Sequence, residues 1–285
     1  MDIDALWEYS DPQASEERFR AALELASGEE RLELLTQIAR TFSLRARFAE
    51  AHHLLDELDG ELDGAGPRPR VCYLLERGRS FNSAGETEKA RWLFTQAWNL
   101  SRTSAGLEGL AVDAAHMLAI TYTGSPEAVV WNQRGLALAR GSQDRKARSL
   151  IAAMLNNAAW DLHALGRFQE ALGLFEDAQA EWTARGGPAQ IQIAKWSVAR
   201  CLRSLERYKE ALAIQRALEA EHKAAGTVDG YVYEEIAENL KALGKGKEAR
   251  PFFRQAADEL GKDEWFVQNE PARLERLKQA GEEAV

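Results

Sequence analysis

Between Leu155 and Ala178 the apolar side chains fall at the three- and four-residue intervals of two amphipathic helices. Leu155, Ala158, Ala159 and Leu162 form one stripe, and Phe168, Ala171, Phe175 and Ala178 form the next, with Gly166 between them. A glycine just past a helical turn suits the left-handed conformation that closes a helix C-terminus. The alanines are small where two helices must approach, and the larger side chains fill the space around them. Such a pair leaves an apolar face uncovered, so it requires neighbours of the same kind.

Those neighbours recur along the chain. Leu35, Ile38, Ala39 and Phe42 precede Phe48, Ala51, Leu55 and Leu58, with Ala46 in the glycine's place. Leu74, Gly78 and Phe81 precede Gly85, Thr87, Ala90, Phe94 and Ala97. Val198, Ala199 and Leu202 precede Tyr208, Ala211 and Leu218, with Glu206 at the glycine position. Ile236, Ala237 and Leu240 precede Gly244, Ala249, Phe253 and Ala256. The stretch 105–141 is the least regular. Alignment through Ala128 sets Ser125 at the aromatic position and Val112, Ala115, His116 and Ala119 on the packing face, so an irregular joint is expected there. Equivalent positions 48, 87, 125, 168, 208 and 246 lie 39, 38, 43, 40 and 38 apart. The residues beyond a minimal helix pair keep helical propensity, which predicts longer helices rather than loops.

This pattern resembles the tetratricopeptide repeat (TPR) family in its longer-repeat form, over almost the whole chain. The resemblance implies an all-α, TPR-like αα-superhelical solenoid of antiparallel helix pairs, about thirteen helices and no sheet. Residues 1–28 are expected to form an N-terminal cap and half repeat, with 1–9 folding back over the open end. Residues 29–262 form the repeats, and 263–285 a C-terminal capping helix and tail, with Trp265 and Phe266 covering the last apolar face.

A formal charge of -9 argues against a surface devoted to nucleic acid or anionic membrane. No basic, apolar leader opens the sequence and no run of about 18 apolar residues occurs, so a cytoplasmic protein is expected. Cys72 and Cys201 fall at packed helical positions and read as buried structural thiols.

No catalytic constellation emerges, and no cofactor or metal is expected. His52 and His53 point to different sides of one helix, and no His-Glu-x-x-His, Cys-x-x-Cys or calcium loop occurs. Asp113 and His116 read as a surface or capping pair. Gly244-Lys245-Gly246-Lys247 lacks the first glycine, the terminal Ser or Thr and the preceding strand of a phosphate loop.

In the family resembled, first helices line a concave surface. Asn156, Trp160 and His163 share a face distinct from the packing stripe, at i, i+4, i+7 spacing. The same offsets select Thr36, Arg40 and Ser43; Leu75, Arg79 and Asn82; Asp113, Met117 and Ile120; Trp196, Arg200 and Arg203; and Glu234, Glu238 and Lys241. Arg79, Asn82, Asn156, Trp160, His163, Trp196, Arg200 and Arg203 are therefore the expected partner-binding residues. Amides can bond a peptide backbone, rings can cover apolar side chains and arginines can pair carboxylates. The same residue types also occur on solvated helix faces. The function this implies is a non-enzymatic scaffold binding a protein or peptide, such as an acidic extended segment. The alternative is a peptide-sensing signalling regulator that changes superhelical curvature.

Overall fold

A computed structural model describes residues 1–282; the tail residues 283–285 lie outside the described residues. Among the described residues there are sixteen α-helices and no strand. In chain order they are α1 (Pro12–Leu23), α2 (Gly28–Leu44), α3 (Phe48–Asp59), α4 (Pro67–Ser83), α5 (Thr87–Ser101), α6 (Glu108–Thr121), α7 (Pro126–Gly141), α8 (Arg145–Ser149), α9 (Ile151–Ala164), α10 (Phe168–Arg185), α11 (Pro188–Ser204), α12 (Tyr208–Ala224), α13 (Gly230–Ala242), α14 (Gly246–Leu260), α15 (Glu264–Asn269) and α16 (Pro271–Glu282). The count exceeds thirteen partly because α8 is a separate five-residue helix. The expected single terminal helix is also two, broken where Pro271, lacking an N–H, starts α16.

The chain forms two compact units, Met1–Asp161 and the part from Leu162 onward. In the first, α2 packs on both α3 and α4, α4 on α5 and α6, and α6 on α7 and α8. In the second, α11 lies against α10, α12 and α13, and α14 against α13 and α16. The repeat register sets the packing. Ala51, Ala90, Ala171, Ala211 and Ala249 are all buried at equivalent positions. Four residues further on stand Leu55, Phe94, Phe175 and Phe253, also buried. Phe94 lies so close to α4 that a Cβ on Gly78 would sit 2.5 Å from its ring.

Five turns within helix pairs are built alike. At each, a residue of positive φ follows the first helix: Ala46, Gly85, Gly166, Glu206 and Gly244. The next N–H donates five residues back, from Arg47 to Phe42, Glu86 to Phe81, Arg167 to Leu162, Arg207 to Leu202 and Lys245 to Leu240. This is the double closure of a Schellman end, completed by the N–H of the positive-φ residue bonding three residues back. An ion pair at i, i+3 then spans each entry to the second helix: Arg47–Glu50, Glu86–Lys89, Arg167–Glu170, Arg207–Glu210 and Lys245–Glu248.

The α6–α7 turn is the irregular joint. Its positive-φ residue is Gly124, one place later than alignment through Ser125 requires, and Ser125 is the N-cap, accepting from the Ala128 N–H. The Gly124 N–H donates instead to Asp161 Oδ1 at 2.8 Å, and Asp161 Oδ2 accepts from Asn132 Nδ2 at 3.1 Å. Asp161 is buried, and burial raises its pKa against those two hydrogen bonds.

At the C-terminal end Phe266 is fully buried, but Trp265 is 59% exposed and does not cover the apolar face. Neighbouring helical residues point about 100° apart, so a helix as short as α15 turns only one of the two rings inward.

Candidate functional site

Two stretches of first-helix face carry the charged and aromatic residues, one in each unit. In the first unit, Glu33, Gln37 and Arg40 of α2, Arg68, Leu75 and Glu76 of α4, and Asp113 of α6 line a cavity of about 360 Å³. Arg79 is 12% exposed at its side chain and bonds both oxygens of Asp113 at 2.6 Å as well as Glu76 at 2.5 Å. Burial alone would raise the Asp113 carboxyl, yet the adjacent Arg79 guanidinium outweighs it and holds the group below the usual carboxylate range. Arg68 pairs with Glu33 at 3.0 Å, and Arg40 lies 3.7 Å from Glu76. This face is close to self-neutralised.

The second unit differs. Arg203 of α11 donates to both oxygens of Glu235 on α13, at 2.7 and 2.8 Å, and Arg200 Nε reaches the same carboxylate at 3.4 Å. Arg200 Nη1 donates to Ser204 Oγ at 2.7 Å, and His163 Nε2 lies 2.8 Å from the same hydroxyl. Burial, followed by the charges of Arg200 and Arg203, lowers the His163 pKa to about 4, so the imidazole is neutral at pH 7. Burial and the neighbouring Arg203 also lower the pKa of Arg200, whereas burial raises that of Glu235. Next to this pair, Glu234 is shared by Arg273 and Arg276 of α16, and Arg276 also meets Glu238. Four guanidiniums thus face three carboxylates in the network, leaving one positive charge in excess.

One turn before Arg200, Trp196 meets Tyr231 edge to face, with ring centroids 6.3 Å apart, and its Nε1 donates to the Tyr231 carbonyl at 3.4 Å. Trp196, Ile193, Leu218, Tyr231 and Val232 line a mostly apolar cavity of about 400 Å³ in α11, α12 and α13, rimmed by His222 and Asp229. Ile193 is 59% exposed at its mouth.

All eight residues selected from the sequence are half-buried. In the second unit His163, Arg200 and Arg203 are brought together, with Trp196 one turn away. In the first, Arg79 is engaged by two carboxylates, while Asn82, Asn156 and Trp160 lie outside that cluster on α4 and α9. Several positions on the same expected face are not open: Thr36, Leu75 and Glu234 are buried, because first helices pack side by side, α2 on α4, α4 on α6 and α11 on α13. Ser204, Glu235 and Gln37 escaped sequence reasoning. Each falls one residue off the i, i+4, i+7 offsets.

Cys72 and Cys201 are buried free thiols, and burial pushes them up to about 12 and about 11, away from thiolate reactivity. Asp113 and His116 are both half-buried, Asp113 is held by Arg79, and His116 Nε2 lies 3.0 Å from Asn157 Nδ2. Among the described residues no group of three or more His, Cys, Asp or Glu is placed to hold a metal, and no helix is long and apolar enough to cross a membrane.

No family model and no curated protein sequence matches the chain. Solved structures do. RapI in its apo form has a TM-score of 0.72 at 13% identity, covering 92% of this chain and 74% of RapI. A signal-transduction ATPase of the STAND type with a tetratricopeptide repeat sensor, from Pyrococcus horikoshii, has a TM-score of 0.73 at 12% identity, covering 95% of this chain, which spans only 42% of that protein. NprR in complex with its cognate peptide NprX has a TM-score of 0.56 at 16% identity, covering 97% of this chain and 81% of NprR. At such identities the likeness is one of fold.

Proposed function

We propose that this chain, whose fold is that of the TPR-type helix-pair proteins, is a non-enzymatic binding protein for an extended protein segment or peptide, taken on its first-helix faces. The observation that carries this reading is the sharing of one carboxylate, Glu235, by Arg200 and Arg203. A half-buried guanidinium pair with half the anionic charge it needs favours a carboxylate from outside, even in a protein of net charge -9. The apolar cavity at Trp196 lies one turn along the same helix, about 6 Å away, and suits a large apolar side chain of the same ligand. The likeness to NprR bound to its peptide supports a peptide over a folded partner.

The test is a labelled set of acidic peptides, with and without an aromatic residue, titrated against the natural chain and the Arg200→Ala/Arg203→Ala chain across a salt series. Weaker binding in the variant is expected, with the difference largest at low salt, where charges are least screened. Equal affinities at every salt concentration would overturn the reading. Because both arginines also hold Glu235, thermal melts must accompany the titration.

A further inference from the structure

The first unit contains a segment lying on a first-helix face, and it belongs to the chain itself. Residues 2–9, DIDALWEY, run from α1 across α2 toward α6 and α8. Near α1, Ser15 Oγ accepts the Glu8 N–H at 2.8 Å and Trp7 meets Phe19 edge to face. Trp7 Nε1 then donates to Gln37 Oε1 of α2 at 3.2 Å, and the Arg40 guanidinium lies 5.2 and 5.5 Å from the Trp7 and Tyr9 rings, which are stacked on each other. At the far end Asp4 accepts from Lys146 of α8 at 3.0 Å, a contact across 142 residues. An aromatic ring on an arginine and a carboxylate on a lysine are the contacts expected of a bound peptide.

Ile3, Leu6 and Trp7 are half-buried against the first unit's core, whereas Asp2 and Asp4 are exposed. Beneath the segment is the charged cavity of about 360 Å³. Two of the cavity's residues hold buried atoms with no hydrogen-bond partner among the described residues, Arg40 Nε and Glu76 Oε2. The Asp4–Lys146 pair is 56% and 42% exposed at its side chains, so water and salt compete for it. No residue of 2–9 is fully buried, so the segment is only partly seated on this face.

We infer that the face formed by α2, α4, α6 and α8 is a second segment-binding site, that residues 2–9 are its tethered ligand, and that an untethered peptide of the same acidic and aromatic chemistry exchanges with them. The inference rests on the peptide-binding reading above but places a distinct site in the other unit. A tethered ligand that occupies the site most of the time reduces the apparent affinity of any competitor by the fraction of time the site is open.

The probe is a labelled peptide of residues 1–11, MDIDALWEYSD, with a scrambled peptide as control. The full chain carrying Asp4→Lys and Trp7→Ala, which releases the segment, is expected to bind it about tenfold tighter than the natural chain. Adding Lys146→Glu, which sets a carboxylate against Asp4 of the probe, should reduce that gain, and adding Arg200→Ala with Arg203→Ala should leave it. Should the double variant fold poorly in a melt, the milder Asp4→Asn chain is expected to show the same trend at smaller size. Equal affinity in natural and released chains, indifference to Lys146→Glu, or equal binding of the scrambled peptide would overturn the inference. If it fails while acidic peptides still depend on Arg200 and Arg203, only the second site is lost; if those fail too, the peptide-binding reading goes with it.

Discussion

Ala46 and Glu206 occupy the same point of two different turns, with φ of 57° and 59°, the only non-glycine residues at positive φ among the described residues. Both stand where Gly85, Gly166 and Gly244 stand in the other repeats, and both close the same hydrogen-bonded turn. An L side chain in this region costs roughly 1 to 2 kcal/mol, part of which glycine returns through its greater freedom in the unfolded chain. Ala46→Gly and Glu206→Gly are each expected to stabilise the protein by about 1 kcal/mol. Thermal melts check this, and a fall in the melting temperature in both variants would show that the conformation carries no strain.

A second expectation concerns Gln215. It is fully buried seven residues into α12, where other second helices carry Leu55, Phe94, Phe175 and Phe253, and neither Oε1 nor Nε2 has a partner among the described residues. Burying an amide without hydrogen bonds costs about 1 to 3 kcal/mol in proteins. Gln215→Leu, similar in volume, is therefore expected to raise stability by about 1 to 2 kcal/mol. Loss of stability in the melt would mean that the amide is satisfied.

The third concerns acid. His163 has a folded pKa of about 4 against an ordinary 6.5. Between those values the unfolded chain binds the extra proton, so the neutral imidazole's contribution is present above pH 6.5 and is lost as pH falls toward 4. His52 and His116 are shifted in the same direction, both chiefly by burial. His163→Gln is expected to make stability fall less steeply over that window without flattening it. Denaturant midpoints from pH 7 to pH 4 test this; parallel curves for natural and variant chains would exclude His163 as a source of the slope.

The turns were legible in the sequence because each is local: Ala46 and Glu206 could be placed in the glycine register by counting from Phe48 and Tyr208. The α6–α7 turn was displaced by one residue because its N–H partner, Asp161, lies 37 residues downstream and leaves no spacing signal. The candidate site was readable only as a helical face. That Arg203 ends on Glu235, 32 residues away, depends on how α11 lies against α13, which no single-helix periodicity contains. The run of residues 2–9 as far as Lys146 was invisible for the same reason, at 142 residues.

The repeated turn has a kinetic consequence. In each of the five, the closing hydrogen bond and the ion pair join residues at most five apart, so the chain searches almost no conformational space to make them. Helical turns form in well under a microsecond and short loops close in about 10 to 100 ns. Folding of this chain therefore has five sites of comparable speed at which to start, rather than one nucleus on which every mutation's rate effect converges. The slow step falls to buried contacts such as Asp161 with Gly124 and Arg79 with Asp113, which must wait for long stretches of chain to meet.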